Sequence, residues 1–222
     1  MKILRIRSLL ALAITAFIGN TYAAELEEII VTAQKRAESL QDVPISMSAI
    51  DGSKIEEIGI NSFQELTAYV PNLSITENAV NTIIGMRGVG IGSNQSFEQS
   101  VGTYVDGIHY GKSRQIRTGL FDLQQVEVLR GPQGILFGKN TLAGAINVTT
   151  ASPQIGQETG GKIAVNKESY GGQTVEGHLT GSLTDSLAWR FAYKDREGDG
   201  HLKNTYPDTE VSLGPTTDEK IW

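Results

Sequence analysis

The sequence predicts a compact domain of mixed helix and strand, followed by antiparallel strands with the patterning of a transmembrane barrel. Three observations carry this. Residues 44–150 break into short apolar strand candidates separated by glycine-rich turns, with two helical stretches among them. Residues 158–196 then alternate apolar and polar positions with period two. Each main run is about ten residues, the length that a tilted strand needs to cross a bilayer. Finally, residues 1–23 have the composition of an export signal.

The chain has 222 residues, no cysteine, 25 glycines and a formal net charge of −6. That length suggests one or two domains. An apolar content of 39% is enough for a core and too high for full disorder. Without cysteine, neither disulfides nor thiolate metal sites are possible. The acidic balance argues against a general nucleic-acid binder, which needs a basic face. No window supplies the ~18 apolar residues of a membrane-spanning helix. Contact with a bilayer would therefore fall to strands or an amphipathic surface.

At the N-terminus, Lys2, Arg5 and Arg7 form a positive region, Leu9 to Ile18 is apolar except for Thr15, and Thr21-Tyr22-Ala23 closes the segment with small residues around a cut site. Losing its three positive charges takes the net charge from −6 to −9. An exported chain without a long apolar helix is periplasmic, secreted or in an outer membrane.

In the middle zone, Ile45, Met47 and Ala49 alternate with serines as in a half-buried strand. Ser53–Ile58 is predicted to be a short helix. Ser62-Phe63-Gln64-Glu65 has capping-box spacing and predicts another helix, ended by Pro71. Strands are predicted at Leu73–Thr76, Ile83–Met86, Gly102–Val105, Ile108–Tyr110, Val126–Leu129 and Ala145–Thr149. Asp106-Gly107 is a strong hairpin signal, and Gly131-Pro132-Gln133-Gly134 is a turn by composition.

The third zone sorts into faces. Val175, Gly177, Leu179, Gly181 and Leu183 share one, and Thr174, Glu176, His178, Thr180 and Ser182 the other. After Thr184-Asp185-Ser186, Leu187, Trp189, Phe191 and Tyr193 lie opposite Ala188, Arg190, Ala192 and Lys194. Ile163 and Val165 suggest a weaker strand before them. An apolar outer face, a polar inner face and a tight turn are the barrel pattern. A soluble sheet with one wet face would alternate in the same way. The aromatics on one face and the export signal favour the membrane.

Catalytic signatures are missing from the sequence. His109, His178 and His201 lack metal-ligand spacing. The glycines at 85, 88, 90 and 92 do not form G-x-G-x-x-G, and neither a P-loop nor a G-x-S-x-G elbow occurs. The pairs Glu27-Glu28 and Glu56-Glu57 read as surface. No enzyme, metal or cofactor is expected.

Five segments in order resemble one known family. Glu28-Ile29-Ile30-Val31-Thr32-Ala33 looks like a TonB box. Gln41-Asp42-Val43-Pro44-Ile45-Ser46 resembles the start of a plug domain. Tyr104-Val105-Asp106-Gly107, Val126-Glu127-Val128-Leu129-Arg130-Gly131-Pro132-Gln133-Gly134 and Gly144-Ala145-Ile146-Asn147-Val148 continue the pattern. Together, over residues 27 to 196, they resemble the N-terminal portion of TonB-dependent outer-membrane receptors. The resemblance implies an α+β plug domain followed by the first antiparallel strands of a transmembrane β-barrel, truncated relative to the 22 strands of such transporters. It divides the chain into a signal peptide (1–23), a TonB box with flexible linker (24–43), a plug (44–152) and the start of a barrel (158–222). The last part holds about three strands and an extracellular loop. Asp218-Glu219-Lys220 before Trp222 does not alternate, so Trp222 reads as the start of an interrupted strand. The chain is expected to be a fragment, a truncated gene product or a deliberately shortened piece of a longer receptor.

The implied activity is energised uptake of a scarce ligand, often an iron chelate, across the outer membrane. Carbohydrate or cobalamin are the other large nutrients to consider. The implied partners are a TonB-type periplasmic transducer, outer-membrane lipid and a small ligand such as a ferric siderophore. Residues 28–33 are expected to pair by strand addition with the transducer, with Gln34 to Asp42 as a solvated leash. An alternative makes Ile29–Val31 the first strand of the plug. Ligand contacts are expected at Asn94, Gln95, Phe97, His109, Tyr110, Arg114 and Arg117, where cations and aromatics suit a carboxylate or catecholate. Arg87, Glu127 and Arg130 are expected between plug and barrel wall. A signalling receptor would carry a further domain before the box, and about four residues separate the predicted cut from Glu28. A soluble exported binding domain, with residues 158–196 completing its own sheet, is the reading outside the membrane.

Overall fold

The computed structural model describes residues 28–32, 35–78, 81–91, 98–167, 172–198 and 217–221. The predicted signal segment lies outside these residues, as do Ala33, Asn94, Gln95 and Phe97.

Fourteen strands are assigned among the described residues. A short N-terminal pair, β1 (Ile30–Val31) and β2 (Glu38–Ser39), precedes β3 (Met47–Asp51). A helix, Gly52–Ile58, follows directly. Asp51 caps it by accepting the Ser53 N–H at 2.8 Å, and Gly59 ends it in the left-handed region at φ 71°. Next come β4 (Leu73–Glu77), β5 (Thr82–Met86), β6 (Val89–Gly90), β7 (Val101–Val105), β8 (Ile108–His109), β9 (Leu123–Arg130) and β10 (Gly144–Thr150). A last group follows: β11 (Gly160–Lys167), β12 (Gln173–Thr184), β13 (Leu187–Gly198) and β14 (Thr217–Ile221).

The helix predicted after Ser62 is instead a short 3₁₀ turn, Glu65–Ala68. Its start is held much as the capping spacing suggested. The Ser62 hydroxyl accepts the Glu65 N–H at 3.4 Å, and the Glu65 carboxylate accepts the Asn61 N–H at 2.6 Å. Pro71 disfavours the helical conformation at Val70 and ends the segment there. The tighter turn still buries Phe63, Leu66 and Val70.

A five-stranded mixed sheet, in the order β3-β9-β10-β7-β8, organises the domain. β10 runs parallel to β7, and the other neighbours are antiparallel. One face presents Val126, Val128, Ile146, Val148 and Val101 to the main core, where Ile55, Leu66, Val70, Ile84, Met86 and Ile116 close over them. The other face carries Leu129, Ala145 and Tyr104, against Phe137 from the single helical turn Gly134–Phe137. The Asp106-Gly107 hairpin forms as predicted, with φ 49° and 80°. The Asp106 carboxylate accepts the Thr150 N–H at 2.9 Å and the Thr150 hydroxyl at 2.8 Å, tying the turn to the end of β10.

Gly144 starts β10 where no side chain fits. A Cβ there would lie 2.3 Å from Met86 Sδ and 2.4 Å from the Leu129 carbonyl oxygen. The carbonyl belongs to a paired strand and cannot retreat. Gly144→Ala is expected to destabilise the domain by about 1–3 kcal/mol, as overpacking does. Amide hydrogen exchange in β9 and β10 checks this, with faster exchange expected.

The second sheet has the order β11-β12-β13-β14. β12 and β13 have 12 residues each, joined through Asp185-Ser186. At about 3.3 Å per residue and a 45° tilt, either one rises about 28 Å, enough for the roughly 25 Å apolar band of an outer-membrane barrel. The predicted faces are present: Leu179 pairs with Phe191, Gly177 with Tyr193 and Gly181 with Trp189. Ile163, Leu179, Leu183, Leu187 and Phe191 stand exposed on this apolar face. The polar face turns towards the mixed domain through Lys162, Arg190 and Lys194. β14 follows the roughly three strands expected, at the place where the sequence suggested the start of an interrupted strand. Its Thr217–Ile221 pairs antiparallel with Lys194–Gly198, although its own sequence does not alternate. Pairing with an exposed strand edge, and not periodicity, places it.

Candidate functional site

Two regions gather polar side chains into defined geometry. The first is where residues 28–40 meet the second face of the mixed sheet. β1 and β2 pair antiparallel, Ile30 with Ser39 and Val31 with Glu38. The Leu40 N–H donates to the Ile29 carbonyl at 2.9 Å. Val31 is 1% exposed, while Ile29 and Ile30 are 39% and 46% exposed. The segment expected to pair with a transducer is docked as a short strand here, the arrangement nearer the alternative that made Ile29–Val31 the first strand of the plug. The expected solvated leash is corrected as well, since Glu38–Ser39 is paired and Val43 is buried. A β-branched run on a polar chain gains most by covering an apolar sheet face, and a hairpin satisfies its backbone there.

Glu127 receives this segment. Its side chain is fully buried. One carboxylate oxygen accepts the Thr32 N–H and faces the Thr32 hydroxyl at 3.5 Å. The other accepts from Asn147 Nδ2 at 2.7 Å. Strand register explains the meeting, because Glu127 pairs with Asn147 and Asn147 with Tyr104 in one row across the sheet. Tyr104 donates its hydroxyl proton to the Phe137 carbonyl and stacks against Phe137 and His109, with centroids 4.9 and 5.0 Å apart. Burial pushes the Tyr104 phenol above its ordinary pKa. Lys35 Nζ lies 5.3 Å from the centre of the Phe137 ring, within cation–π range.

The second region is the seam between the mixed domain and the strands. A cavity there is lined by Glu56, Asn61, Asp122, Lys162, Glu176 and Lys194, among others. Arg190 donates from Nε to Asp122 at 2.8 Å and from Nη2 to the other carboxylate oxygen. Both side chains are about 15% exposed, at 15% and 16%. Lys194 donates to Asn61 Oδ1 at 2.7 Å and lies 3.2 Å from Glu176. Lys162 bonds Glu56 at 2.6 Å in a more exposed setting.

The wall contacts expected from Arg87, Glu127 and Arg130 are not those found among the described residues. Glu127 is enclosed by the domain itself. Arg130 donates to Ser46 Oγ, Ser48 Oγ and the Met47 carbonyl, at 3.0–3.1 Å, bracing β3 against β9. Arg87 occupies an exposed turn at φ 53°, between β5 and β6. Glu56, Asn61 and Asp122 make the contacts instead. Sequence reading assigned the polar strand face correctly but missed these partners, which lie 106, 133 and 68 residues from Lys162, Lys194 and Arg190.

Among the described residues, the expected ligand contacts do not converge. His109 packs on Tyr104 and Tyr110 is half-buried beside it. Arg117 is a strut, donating to Thr82 Oγ1 at 2.8 Å and the Asn78 carbonyl at 2.6 Å. Arg114 stays exposed on the 3₁₀ turn Ser113–Arg117.

The architecture and these contacts can be set beside known proteins. A family model described as the TonB-dependent Receptor Plug Domain matches residues 39–145. The pesticin receptor of Yersinia pestis is 31% identical over 178 residues, covering 78% of this chain and 26% of the relative. The iron-regulated outer membrane virulence protein of Vibrio cholerae serotype O1 is 26% identical over 205 residues, covering 83% of this chain and 30% of the relative. Among solved structures, the ferric yersiniabactin uptake receptor FyuA from Yersinia pestis superposes with a TM-score of 0.60 at 28% identity, over 70% of this chain and 24% of that one. The chain thus spans between a quarter and a third of the length of the curated relatives it matches. Two of these, the pesticin receptor and FyuA, are receptors by name. The chain belongs to the TonB-dependent receptor family, carrying its plug domain and the antiparallel strands that follow it.

Proposed function

We propose that this chain supplies the plug and first wall strands of an outer-membrane receptor that imports a ferric siderophore, driven by a TonB-type transducer that engages residues 28–33. One observation carries the mechanical part. The β-branched segment Ile29–Thr32 lies on the plug's sheet and bonds directly to Glu127 on its interior strand β9. An outer membrane has neither nucleotide nor an ion gradient to draw on, so work must come from outside it. A pull on this segment is delivered to the middle of β9. The backbone edge of the segment offers strand addition as the means of capture.

Iron chelates are the favoured cargo because one matched structure is a ferric yersiniabactin uptake receptor and another relative is named as iron-regulated. Among the described residues, Arg114 is an exposed candidate placed to meet a carboxylate or catecholate. Lipid is the partner proposed for the exposed row Ile163, Leu179 and Phe191.

Val31→Pro tests the transducer role, because proline fixes φ and removes a strand donor. Iron-limited cells carrying the full-length receptor are expected to lose energised uptake of radiolabelled ferric siderophore to background while still binding it at the surface. Uptake at the unmodified rate would refute the role. If the receptor binds cobalamin and no member of a ferric siderophore panel, the cargo is wrong and the mechanics stand.

A further inference from the structure

The outward face of the second sheet carries a hollow that neither import nor the seam with the plug uses. Ile163, Gly177 and Tyr193 stand in one row across β11, β12 and β13. Glycine in the middle of the row leaves bare backbone between two large side chains. Val175 and Leu179 bound the notch along β12, and Phe191 bounds it along β13, around about 280 Å³. Strand pairing keeps the floor bare. A Cβ at position 177 would lie 2.7 Å from the Lys162 carbonyl oxygen, so a side chain there would have to push the neighbouring strand aside.

Register also gives the notch a direction. β12 and β13 join through Asp185-Ser186, whereas residues 199–216 connect β13 to β14. Outer-membrane barrels keep short turns on the periplasmic side and longer connections outside. The notch therefore lies in the outer half of the wall. Towards the outside, one row, Val165–Val175–Asp195, separates it from the polar row Lys167–Gln173–Glu197. Lys167 is exposed, about 13 Å along β11 from Ile163, and its long stem can reach back over the apolar face. On the β13 side, Asp195 pairs in register with Lys220 and Glu197 with Asp218, which makes that rim net acidic.

We propose that the notch over Gly177 binds one acyl chain of the phosphorylated glycolipid of the outer leaflet, with a phosphate of its head group on Lys167. The inference rests on the reading of the Ile163, Leu179 and Phe191 row as lipid-facing. In hydrocarbon no water is at hand to fill a hollow, and an empty one forfeits the dispersion contacts of its lining. A straight chain segment laid over Gly177 restores them on several sides at once. Lipid tails are as apolar as the wall, so hydrophobic transfer selects no particular lipid. Selection falls to the fit of the chain and to charge at the rim. Lys167 attracts an anionic head group over β11, and the acidic rim of β13 turns it away from the other side.

The test reconstitutes the full-length receptor in phosphatidylethanolamine vesicles containing lipid A with a photoactivatable diazirine in one acyl chain. After illumination, cross-linked peptides are mapped by mass spectrometry. Cross-links are expected to concentrate at Val175–Leu179 and Tyr193, above other outward positions such as Leu183 and Leu187. Ile163→Ala opens one side of the notch and is expected to lower that labelling several-fold. Lys167→Gln is expected to lower it about three-fold, the scale of an exposed ion pair, and Lys167→Arg to restore it. Both positions are exposed, so neither change disturbs the core. Even labelling along the strands, or labelling unchanged in both Ile163→Ala and Lys167→Gln, overturns the site. Phosphatidylethanolamine carrying the same diazirine chain is expected to label the outward positions evenly. A peak at the notch as high as that of lipid A overturns the choice of glycolipid. If no outward residue of β11, β12 or β13 is labelled by either lipid, the lipid-facing reading itself fails.

Discussion

Asp122→Ala is expected to loosen the plug from the strands more than any other single change at the seam. The Asp122–Arg190 pair is bidentate and about 15% exposed on both sides. Removing the carboxylate leaves the guanidinium facing a protein seam with its best acceptor gone. Breaking a pair in such a setting costs about 3–5 kcal/mol, most of it from the stranded charge. Replacing both partners with apolar groups is far milder for the same reason. The check is a double-mutant cycle with Asp122→Ala, Arg190→Met and both together, read by protease sensitivity of the plug in membranes. The double variant is expected to be more resistant than Asp122→Ala alone. By contrast, Lys162→Ala removes an exposed bond to Glu56, worth about 0–1 kcal/mol, and is expected to leave protease sensitivity nearly unchanged.

Glu127→Ala is expected to have the second large effect, in two places at once. It deprives the Thr32 N–H and Asn147 Nδ2 of their acceptor. Each buried donor left without a partner costs about 1–3 kcal/mol. At Thr32 the cost is relieved by undocking the segment. At Asn147 no such escape exists, because its strand is paired on both sides. Hydrogen exchange should therefore separate the two: nearly complete loss of protection over residues 29–32 and 38–40, and a smaller acceleration in β9 and β10. Thr32→Val is expected to be far weaker, since it keeps the N–H that makes the main bond and loses only the 3.5 Å hydroxyl contact. Equal loss of protection in both variants would remove Glu127 from this role.

How much of this was legible depended on the distance over which each signal acts. The capped helix after Asp51, the Asp106-Gly107 hairpin and the two long strands with their faces all come from patterns within a dozen residues. Local backbone preference and period-two alternation determine them wherever they sit in a fold. The five family segments were likewise readable because each has its own residue pattern in order along the chain. Ser62–Val70 shows where local signals compete, since the cap called for an α-helix and the segment that Pro71 ends is a 3₁₀ turn.

The candidate site was less legible. Glu127 looked like a wall contact because an acidic residue between valines reads as pointing to solvent. Yet β9 is an interior strand of the sheet, and both its faces are covered. Residues 28–33 were expected to pair with a transducer on a solvated leash, and the sheet face that Thr32 meets through Glu127 is assembled from strands about a hundred residues downstream.

By itself, the sequence determined the family, most of the strands and the division between apolar and polar strand faces. Only the tertiary structure decided which charge meets which, that the N-terminal segment is docked, and that Arg117 and Arg130 are struts. Periodicity records whether a side chain faces in or out. It carries no label for the partner it meets there, because that pairing depends on strand order and register, which long-range packing selects.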